Sequence, residues 1–349
     1  MIPTEQAPPV FGRARELVLP AMRTAVGRLS AEVRPVAEYH FGWADADGCA
    51  TGGGGGKGVR PALAILSAEA AGADAVIGIP GGVSIELVHN FSLIHDDVID
   101  GDAERRHRPT VWATFGVGRA VIVGDALLAL AQQILLDPAG TLQLDRVADG
   151  DAARRAAARI ADSTAAMIAG QALDMAFETL PTVDVAGCLA MEGGKTGALL
   201  GCAAAIGAEL AGAPFEHVAA LDRFGYELGL AFQAVDDVLG IWGDPARTGK
   251  PAWSDLRSHK KTFPVAAALA AGGGGAAELA ALLGTPSLSD EQVARAAALV
   301  EQAGGREAAT AEASRRLDAA LAAIDSPFFV PAAQAELVEV ARFVIEREF

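Results

Sequence analysis

The sequence predicts an all-α protein, and three observations support that expectation. Ala and Leu are abundant whereas aromatic residues make up only 5% of the chain, a composition that favours helices over strands. Apolar residues recur at helical spacing along most of the chain, and convincing period-two alternation is hard to find. No linker forces a domain boundary. We therefore expect one helical domain over residues 1–349, folded as a single large bundle.

The helices are predicted from the spacing of apolar residues. The loops are predicted from residues between them, such as glycine and proline, that interrupt regular structure. Pro35 must start or bend a short helix after the first one. From Val265 onward the predicted helices are shorter and rich in Ala. Flexible loops are expected near residues 41–56, 137–151 and 272–290. The longer helices are expected, in chain order, at Arg13–Leu29, Pro61–Ala73, Gly82–Ile99, Val117–Leu136, Ala152–Phe177, Asp184–Ala211 and Glu216–Trp242.

Composition and charge exclude several classes of function. The chain has 28 Lys and Arg against 44 Asp and Glu, a net charge of −16, which argues against nucleic acid or an anionic membrane surface as the main partner. Cys49, Cys188 and Cys202 are an odd number without metal-ligand spacing, so reduced thiols are expected. The N-terminal residues lack a continuous apolar core, and no membrane span is expected. These features predict a soluble, cytoplasmic protein.

Two aspartate-rich clusters are the most informative feature of the chain. The first comprises Asp96, Asp97 and Asp100, and the second comprises Asp236 and Asp237. Both lie in apolar surroundings, where unpaired carboxylates would be costly. Residues four apart on a helix share a face, so Asp96 and Asp100 can reach one ion together. Mg²⁺ prefers oxygen ligands and binds through a few carboxylates plus substrate phosphates. Two such faces across a cavity would clamp a diphosphate.

Basic residues accompany both clusters. Arg105 and Arg106 follow the first cluster, and a Lys-bearing loop follows the second. Lys57 and Arg60 follow a run of glycines, which allows the backbone to approach an anion closely. His89 lies about two turns before the first cluster, roughly on the same helix face. This pairing of anionic and cationic groups indicates a metal-bridged phosphate site.

In these motifs the chain resembles the trans-isoprenyl diphosphate synthases, the polyprenyl synthetase family. The family's first motif, DDxxD followed by RRGxPT, is matched by DDVID and RRHRPT within residues 96–110. Its second motif, FQxxDDxxD followed by GDPxxxGK and DLxxGKxTLP, is matched by FQAVDDVLG, GDPARTGK and DLRSHKKTFP within residues 232–264. The family's GKxxRP element ends at Pro61. The resemblance implies an isoprenoid synthase type of bundle with a central cavity.

The resemblance also implies roles for individual residues. It implies Mg²⁺ as the cofactor, with three ions per active site, held by Asp96 and Asp100 from one side and by Asp236 from the other. It implies isopentenyl diphosphate and an allylic diphosphate as substrates, and a homodimer as the assembly. The implied catalytic set is Asp96, Asp97, Asp100, Arg105, Lys195, Thr196, Gln233, Asp236 and Asp237. The residues implied to bind isopentenyl diphosphate are Lys57, Arg60, His89 and Arg106. Those implied to bind the allylic substrate are Arg105, Lys195, Thr196, Gln233, Lys250 and Lys260.

Three positions depart from the family pattern. Gly240 replaces the third aspartate of the second motif, so the metal on that side has one fewer candidate ligand. Because Mg²⁺ keeps several waters, a water could take that place. His107 and His259 stand where the family usually has glycine, and the sequence alone gives no role for them.

The residues before the first motif predict the length of the product. A growing prenyl tail should run along the helix below Asp96, where Phe91 lies about 7.5 Å back and Val88 about 12 Å back. In this family, bulky residues four and five positions before the motif close the pocket early. Here Phe91 is bulky, Ser92 is small, and the motif carries no insertion. This pattern resembles short-chain synthases and favours geranylgeranyl over farnesyl diphosphate. The alternative is that Phe91 is ordinary core packing.

Three other functions stay open at the level of sequence. A class I terpene cyclase shares the helical fold and an aspartate motif, but it gives no reason for a second aspartate motif plus Lys57 and Arg60. A non-catalytic subunit of a heteromeric prenyltransferase is the second alternative, with Gly240 as its only hint. A synthase with a farnesyl or a longer product is the third.

Overall fold

The computed structural model describes residues 7–52, 58–144, 147–245 and 252–346, and the expected all-α class is confirmed. The strands found within these residues are a two-stranded hairpin, β1 (Glu104–Arg105) and β2 (Arg108–Pro109). In chain order the helices are α1 (Pro9–Val26), α2 (Arg34–His40), α3 (Val59–Ala70), α4 (Ile79–Ile99), α5 (Val111–Phe115), α6 (Val117–Leu136), α7 (Pro138–Leu142), α8 (Gly150–Thr179), α9 (Val185–Glu192), α10 (Ala198–Leu210), α11 (Phe215–Trp242), α12 (Ser254–Arg257), α13 (Phe263–Ala270), α14 (Gly273–Leu283), α15 (Asp290–Gln302), α16 (Gly305–Ile324) and α17 (Pro331–Glu346).

The centre of the bundle is formed by α3, α4, α10 and α11. Helix α10 is buried along its whole length after its first residue, and it packs against α3, α8 and α11. Glycine allows the closest of these approaches, because a Cβ at Gly207 would overlap the carbonyl oxygen of Ala64 on α3. The backbone N–H of Gly207 donates instead to Oγ of Ser67 at 3.0 Å. The small residues of α10 thus allow close packing at the centre of the bundle, where α4 and α11 carry the two aspartate clusters.

Two segments that were expected to be loops contain helices. The segment 137–151 holds α7, which begins because the side chain of Asp137 accepts a hydrogen bond from the backbone N–H of Gly140 at 2.9 Å. The segment 272–290 holds α14, where the left-handed Gly272 and Gly273 turn the chain before an Ala- and Leu-rich stretch. Part of the segment 41–56 lies outside the described residues, and its described part carries an isolated bridge between Ala44 and Ala50.

The long predicted helices are present with ends shifted by a few residues, and one of them is interrupted. The stretch predicted as Asp184–Ala211 is divided into α9, a π-helical turn at Gly193–Gly197, and α10. A Cβ at Gly194 would approach the backbone of α8 at Ala166 and Gly170, so this turn sits tightly against α8. Wide π turns commonly occur at functional sites, and this one carries Lys195 and Thr196.

Two helices are long and apolar enough to cross a membrane by length and composition alone. They are α4 together with the turn before it, Ala75–Ile99, and α6, Val117–Leu136. In α4, 72% of the apolar window is buried inside the protein, as in the core helix of a soluble protein. In α6 the buried share is 44%, because one face packs on α4 and the other is exposed.

Candidate active site

The first aspartate cluster lies at the C-terminal end of α4. Asp97 is buried, and its Oδ1 accepts a hydrogen bond from Nε of Arg105 at 2.6 Å. Asp96 is half-buried and Asp100 is exposed, so the two carboxylates four residues apart are the ones left facing outward. Asp97 therefore fixes the hairpin that follows, whereas Asp96 and Asp100 form the accessible face of the motif.

Charges from distant elements act on this face. Burial raises the pKa of Asp96 to about 6, against the ammonium of Lys195 and with the help of the Asp100 carboxylate. Asp100 is exposed, but the protein around it removes part of its hydration and likewise raises its pKa, opposed by Lys195 and Lys260. Lys195 lies in the π turn and Lys260 follows α12, so the fold brings cations from both places to the end of α4. A metal cation bound beside carboxylates whose pKa is raised in this way would favour their charged form.

The second aspartate cluster lies near the end of α11. Like the first, it has one buried aspartate that anchors the structure and another that is accessible. Asp237 is buried: its Oδ1 accepts from Nε2 of Gln233 at 2.9 Å, and its Oδ2 accepts from the backbone N–H of Phe263, also at 2.9 Å. Asp236 is exposed. Burial raises the pKa of Asp237, and burial beside that carboxylate raises the pKa of Glu192. Asp237 thus anchors α11 to α13, and Asp236 is left at the surface of the site.

Carboxylates of both clusters act on one cation, Lys260. Burial lowers the pKa of Lys260, but the carboxylates of Asp255, Asp174, Asp100 and Asp236 outweigh that effect and raise it. These carboxylates come from both motifs and from two further elements. The structure therefore brings together the ends of α4 and α11 around one group of charges.

The π turn adds contacts to this group. Nζ of Lys195 lies 2.6 Å from Oδ2 of Asp174 on α8. Oγ1 of Thr196 lies 3.1 Å from Oε1 of Gln233, the same residue whose amide donates to Asp237. Lys195, Thr196 and Gln233 are thus linked to the second cluster, while the charge of Lys195 also acts on Asp96.

A second group of cations lies beside the first cluster. Burial lowers the pKa of His89 well below its usual value, and the charges of Arg60 and Arg106 lower it further. A cavity of about 330 Å³ opens beside Arg106. Its lining includes Tyr39, His40, Thr51, Asp97, Arg105, Arg106 and Arg108. Three arginines around one polar cavity suit the binding of an anion such as a diphosphate.

The hairpin formed by β1 and β2 determines the position of one of these arginines, Arg106. Its two-residue turn consists of Arg106 and His107, with φ values of 53° and 62°. Two left-handed residues between antiparallel strands form the compact turn that normally selects glycine at its second position. Arg106 therefore stands at the tip of a rigid hairpin that Asp97 and Arg105 tie to the end of α4. The departure at His107 thus falls on a position where the backbone favours glycine.

The residues proposed to limit chain length lie one to two turns below the first cluster. Phe91 is 6% exposed, and its ring meets that of His95 edge-on with centroids 5.0 Å apart. Val88 is fully buried, and Oγ of Ser92 donates to the carbonyl oxygen of His89 at 2.8 Å. His95 is held in turn by a 3.1 Å contact between Nε2 and the carbonyl oxygen of Val121 on α6.

Two predicted site residues, Lys57 and Lys250, lie outside the described residues. Conversely, four residues of the site were not singled out from the sequence: His40, Asp174, Glu192 and Asp255. His40 contacts Oδ1 of Asn90 at 2.9 Å, and burial lowers its pKa to about 4. No local motif marks His40, since it reaches the site only because α2 packs near α4. Asp255 does belong to the DLxxGK match, so its signal was present in the sequence.

The donors that face outward suit Mg²⁺. Asp96, Asp100 and Asp236 offer carboxylate oxygens, the ligand type that Mg²⁺ prefers. Among the described residues, no three His, Cys, Asp or Glu side chains lie close enough to hold an ion by themselves. Mg²⁺ usually binds through a few carboxylates together with waters and substrate phosphates, and the carboxylates of Asp96, Asp100 and Asp236 suit that mode of binding.

A helical bundle with two carboxylate faces and two groups of basic residues suits an enzyme that handles diphosphates. The polyprenyl synthetase family matches this chain over residues 50–300. Over 349 residues the chain is 45% identical to a (2E,6E)-farnesyl diphosphate synthase of Mycobacterium tuberculosis, covering 99% of this chain and 94% of the relative. It is 42% identical to a geranylgeranyl diphosphate synthase of the same organism over 348 residues, covering 99% and 96%.

Solved structures agree with these relatives. A polyprenyl synthetase from Streptomyces coelicolor A3(2) superposes with a TM-score of 0.89 at 48% identity, covering 97% of this chain and 99% of that one. A geranylgeranyl pyrophosphate synthase from Corynebacterium glutamicum, complexed with isoprenyl diphosphate and magnesium, gives a TM-score of 0.80 at 25% identity, covering 98% and 99%. The chain belongs to the polyprenyl synthetase family and is a short-chain trans-prenyltransferase of the farnesyl and geranylgeranyl diphosphate synthase type.

Proposed function

We propose that this protein condenses isopentenyl diphosphate with an allylic diphosphate to form geranylgeranyl diphosphate. The observation that supports the proposal most directly is that each aspartate motif leaves carboxylates accessible at its helix end, Asp96 and Asp100 on α4 and Asp236 on α11. The enzyme uses Mg²⁺, with three ions per active site, and acts as one domain over residues 1–349. The solved relative from Corynebacterium glutamicum holds magnesium with isoprenyl diphosphate, which supports this choice of metal.

The allylic diphosphate binds between the two carboxylate faces. Mg²⁺, when held by Asp96, Asp100 and Asp236, supplies positive charge to the leaving diphosphate. Lys195 and Lys260 add positive charge to the same group, because both already act on the carboxylates at the end of α4. These cations favour cleavage of the carbon–oxygen bond, in which the electron pair leaves with the diphosphate.

Isopentenyl diphosphate binds in the second group of cations. Arg60, His89 and Arg106 hold its diphosphate, and the rigid hairpin fixes where Arg106 stands. The π electrons of its double bond attack the allylic cation and form the new carbon–carbon bond. A proton is then lost to the departing diphosphate. Thr196 of the π turn and Gln233 of α11 contact each other at 3.1 Å, and both can stabilise the cation with their oxygen atoms.

Phe91 closes the floor of the product cavity in this proposal. Its buried position below Asp96, fixed by the edge-on contact with His95, supports a floor that does not move readily. Ser92 is small and therefore leaves room for a tail longer than fifteen carbons. The high identity to a farnesyl diphosphate synthase makes the fifteen-carbon product the second candidate.

Replacement of Phe91 tests the floor. Phe91→Ala should lengthen the products beyond twenty carbons, since removal of the ring opens space along α4. The measurement is chromatographic sizing of products from isopentenyl diphosphate and farnesyl diphosphate. The matched control is Ser92→Ala on the same turn, which removes one oxygen and should leave the product unchanged. An unchanged distribution from Phe91→Ala would assign this residue to core packing instead.

The enzyme acts as a homodimer in the cytoplasm. The exposed face of α6 carries Val117, Val121 and Ile122, and the exposed face of α8 carries Ile168 and Leu173. Clusters of exposed apolar side chains on adjacent helices are typical of a protein–protein interface, and a second copy of the chain would cover both helices. Multi-angle light scattering should give twice the chain mass of 35.6 kDa. The monomer mass would contradict this assembly.

The condensation assay tests the proposal as a whole. Purified protein is incubated with Mg²⁺, isopentenyl diphosphate and, separately, dimethylallyl, geranyl or farnesyl diphosphate. A twenty-carbon prenyl diphosphate is the expected product. A product of fifteen carbons, or one of more than twenty, would retain the chemistry and refute the chain-length assignment. A cyclic hydrocarbon from a single prenyl diphosphate would indicate a terpene cyclase, and activity only on adding a partner would indicate the subunit alternative.

A further inference from the structure

The π turn that carries Lys195 and Thr196 packs closely against two neighbouring helices. On α8, a Cβ at Gly170 would overlap the backbone nitrogen of Lys195. On α11, a Cβ at Gly229 would lie 2.8 Å from Cα of Gly197, the last residue of the turn. Both helices therefore contact the turn through backbone atoms, and the turn has little room to move toward either of them.

A third contact with the turn is made by an aromatic ring. A Cβ at Gly193, the first residue of the turn, would overlap Oη of Tyr226 on α11. A Cβ at Gly197 would lie 3.0 Å from the ring carbons Cδ2 and Cε2 of Tyr226. Because both positions are glycine, the ring lies directly against the backbone at the two ends of the turn. One side chain thus spans the whole π turn.

The helix that carries Tyr226 is itself fixed on neighbouring faces. The next residue, Glu227, forms an ion pair with Arg316 of α16, with 2.7 Å between Oε2 and Nη1. Both side chains are largely buried, which strengthens a charge-assisted hydrogen bond of this kind. On the other side of Tyr226, a Cβ at Gly225 would overlap the carbonyl oxygen of Leu200, so α11 packs closely on α10. Tyr226 is therefore presented to the turn from a helix that is held in place.

Tyr226 also lines a cavity of about 650 Å³ between α8, α10 and α11. Charged residues of α8 and α11 and the exposed ring of Phe215 form other parts of its wall. The lining includes none of the residues that the proposed function assigns to the substrates. Removal of the Tyr226 ring would therefore open space outside the active site, toward which the π turn could shift.

We propose that Tyr226 is a positioning residue that fixes the π turn and, through it, the places of Lys195 and Thr196. The inference rests on the proposed function, in which these two residues act on the allylic substrate. Nζ of Lys195 lies 2.6 Å from Asp174, and Oγ1 of Thr196 lies 3.1 Å from Gln233, so a shift of the turn would change both contacts. A misplacement of about 1 Å can lower a rate about 10²-fold, so a small shift is sufficient.

Steady-state kinetics of two Tyr226 variants test the proposal. Tyr226→Ala should raise the KM for geranyl diphosphate and lower kcat, so that kcat/KM for this substrate falls about tenfold or more. The KM for isopentenyl diphosphate should stay within about twofold of the wild type, because its diphosphate is assigned to α3, α4 and the hairpin. Partial unfolding, in contrast, would lower kcat without changing either KM. Tyr226→Phe keeps the ring and should retain at least about half of the wild-type kcat/KM.

The matched control for loss of a ring is Phe215→Ala. Phe215 lies on the same helix and beside the same cavity, and it is 80% exposed. Its removal should leave kcat and both KM values unchanged.

A reciprocal change tests the contact between the ring and the turn. Gly193→Ala places a methyl group where Oη of Tyr226 lies and should push the ring away, so that kcat/KM for geranyl diphosphate falls about tenfold. In Gly193→Ala/Tyr226→Phe the overlapping oxygen is absent, and the nearest ring carbon lies 3.1 Å from the new Cβ. The double variant should therefore return to within about threefold of the wild type.

Crystal structures of the wild type and Tyr226→Ala give a readout that does not depend on turnover. The 2.6 Å contact between Lys195 and Asp174 should be lost in the variant. A retained contact, or wild-type values of both KM in Tyr226→Ala, would overturn the proposal.

The remaining outcomes also decide. If Tyr226→Ala does not unfold cooperatively, the Gly193 variants decide alone: recovery in the double variant supports the contact, and no recovery refutes it. The proposed function fails separately, if the wild-type protein forms no prenyl diphosphate product. In that case the crystallographic comparison decides whether Tyr226 fixes the π turn.

Discussion

The two aspartate-rich helix ends carry the same chemistry but are assembled from different parts of the chain. At the end of α4, both accessible carboxylates and the anchoring Asp97 belong to five consecutive residues, and the anchor's partner, Arg105, follows closely. At the end of α11, the anchor Asp237 is bound by the backbone of Phe263, which lies far downstream. The space beside Gly240, where the family pattern has its third aspartate, is filled by the carboxylate of Asp255. The first helix end is thus held by neighbouring residues of one motif, whereas the second depends on the packing of distant segments.

The largest expected effect tests whether the two faces are equivalent. Asp96→Asn and Asp236→Asn should each lower kcat by about 10³-fold or more, because each removes a charge that stabilises the leaving diphosphate through the metal. Both proteins should keep wild-type unfolding curves, since neither carboxylate is an anchor. The measurement is steady-state turnover with isopentenyl and geranyl diphosphates. Near-normal turnover in one variant would show that only one face holds the catalytic metal.

The next effect separates anchors from metal-facing residues. Asp97→Ala and Asp237→Ala should each lower the free energy of unfolding by about 1–3 kcal/mol, because the first removes the acceptor of the partly buried Arg105 guanidinium and the second removes that of the buried Phe263 N–H. Urea denaturation measures the loss. Asp290→Ala removes an exposed carboxylate and should stay within about 0.5 kcal/mol of the wild type. Unchanged stability in either anchor variant would mean that its hydrogen bonds are not structural.

The third prediction concerns the affinity for Mg²⁺ at the face of Asp96, which should change about tenfold with pH. Burial raises the pKa of Asp96 to about 6, so this carboxyl is mostly ionised at pH 7 and mostly protonated at pH 5. Metal binding requires the carboxylate and displaces the proton, so the affinity for Mg²⁺ with pyrophosphate should fall about tenfold from pH 7 to pH 5. Asp96→Asn should lose this part of the pH dependence. An identical slope in the variant would assign the titration to another group.

The smallest effect concerns the histidines that follow the two motifs. His107 and His259 have φ values of 62° and 54°, in the left-handed region where glycine is unstrained. His107→Gly and His259→Gly should each raise the free energy of unfolding by about 0.5–1 kcal/mol. Gln143→Gly, at a left-handed position away from the site with φ of 58°, is the control and should give a similar gain. A loss of stability in a histidine variant would show that its ring contributes more than the strain costs.

Much of this fold and site could be predicted from the sequence because the signals are local. Helical spacing identified the long helices, and the spacing of aspartates identified the ends of α4 and α11. Asp255 could not be assigned in the same way, because its contact with Gly240 depends on how the chain turns at Trp253. His40 was missed for a similar reason, since only packing brings α2 to the cavity beside Arg106.

The incorrectly predicted loops have a physical explanation too. Glycine runs normally indicate loops, yet Gly272 and Gly273 lead directly into α14 because the residues after them are strong helix formers. The segment after α6 was treated as a loop because its Asp and Gly residues favour turns, but Asp137 acts there as a helix cap. Glycine and aspartate residues of this kind mark the ends of helices reliably, but they do not show how soon the next helix begins.

The most direct test of the central claim is a condensation assay on the unaltered protein at two metal concentrations. With isopentenyl diphosphate, geranyl diphosphate and millimolar Mg²⁺, the two carboxylate faces should together support formation of a twenty-carbon prenyl diphosphate. With the metal chelated, both faces lose their function and product formation should cease. Product formation that continues without Mg²⁺, or no prenyl product in its presence, would contradict the proposal that these two faces hold the metals for diphosphate departure.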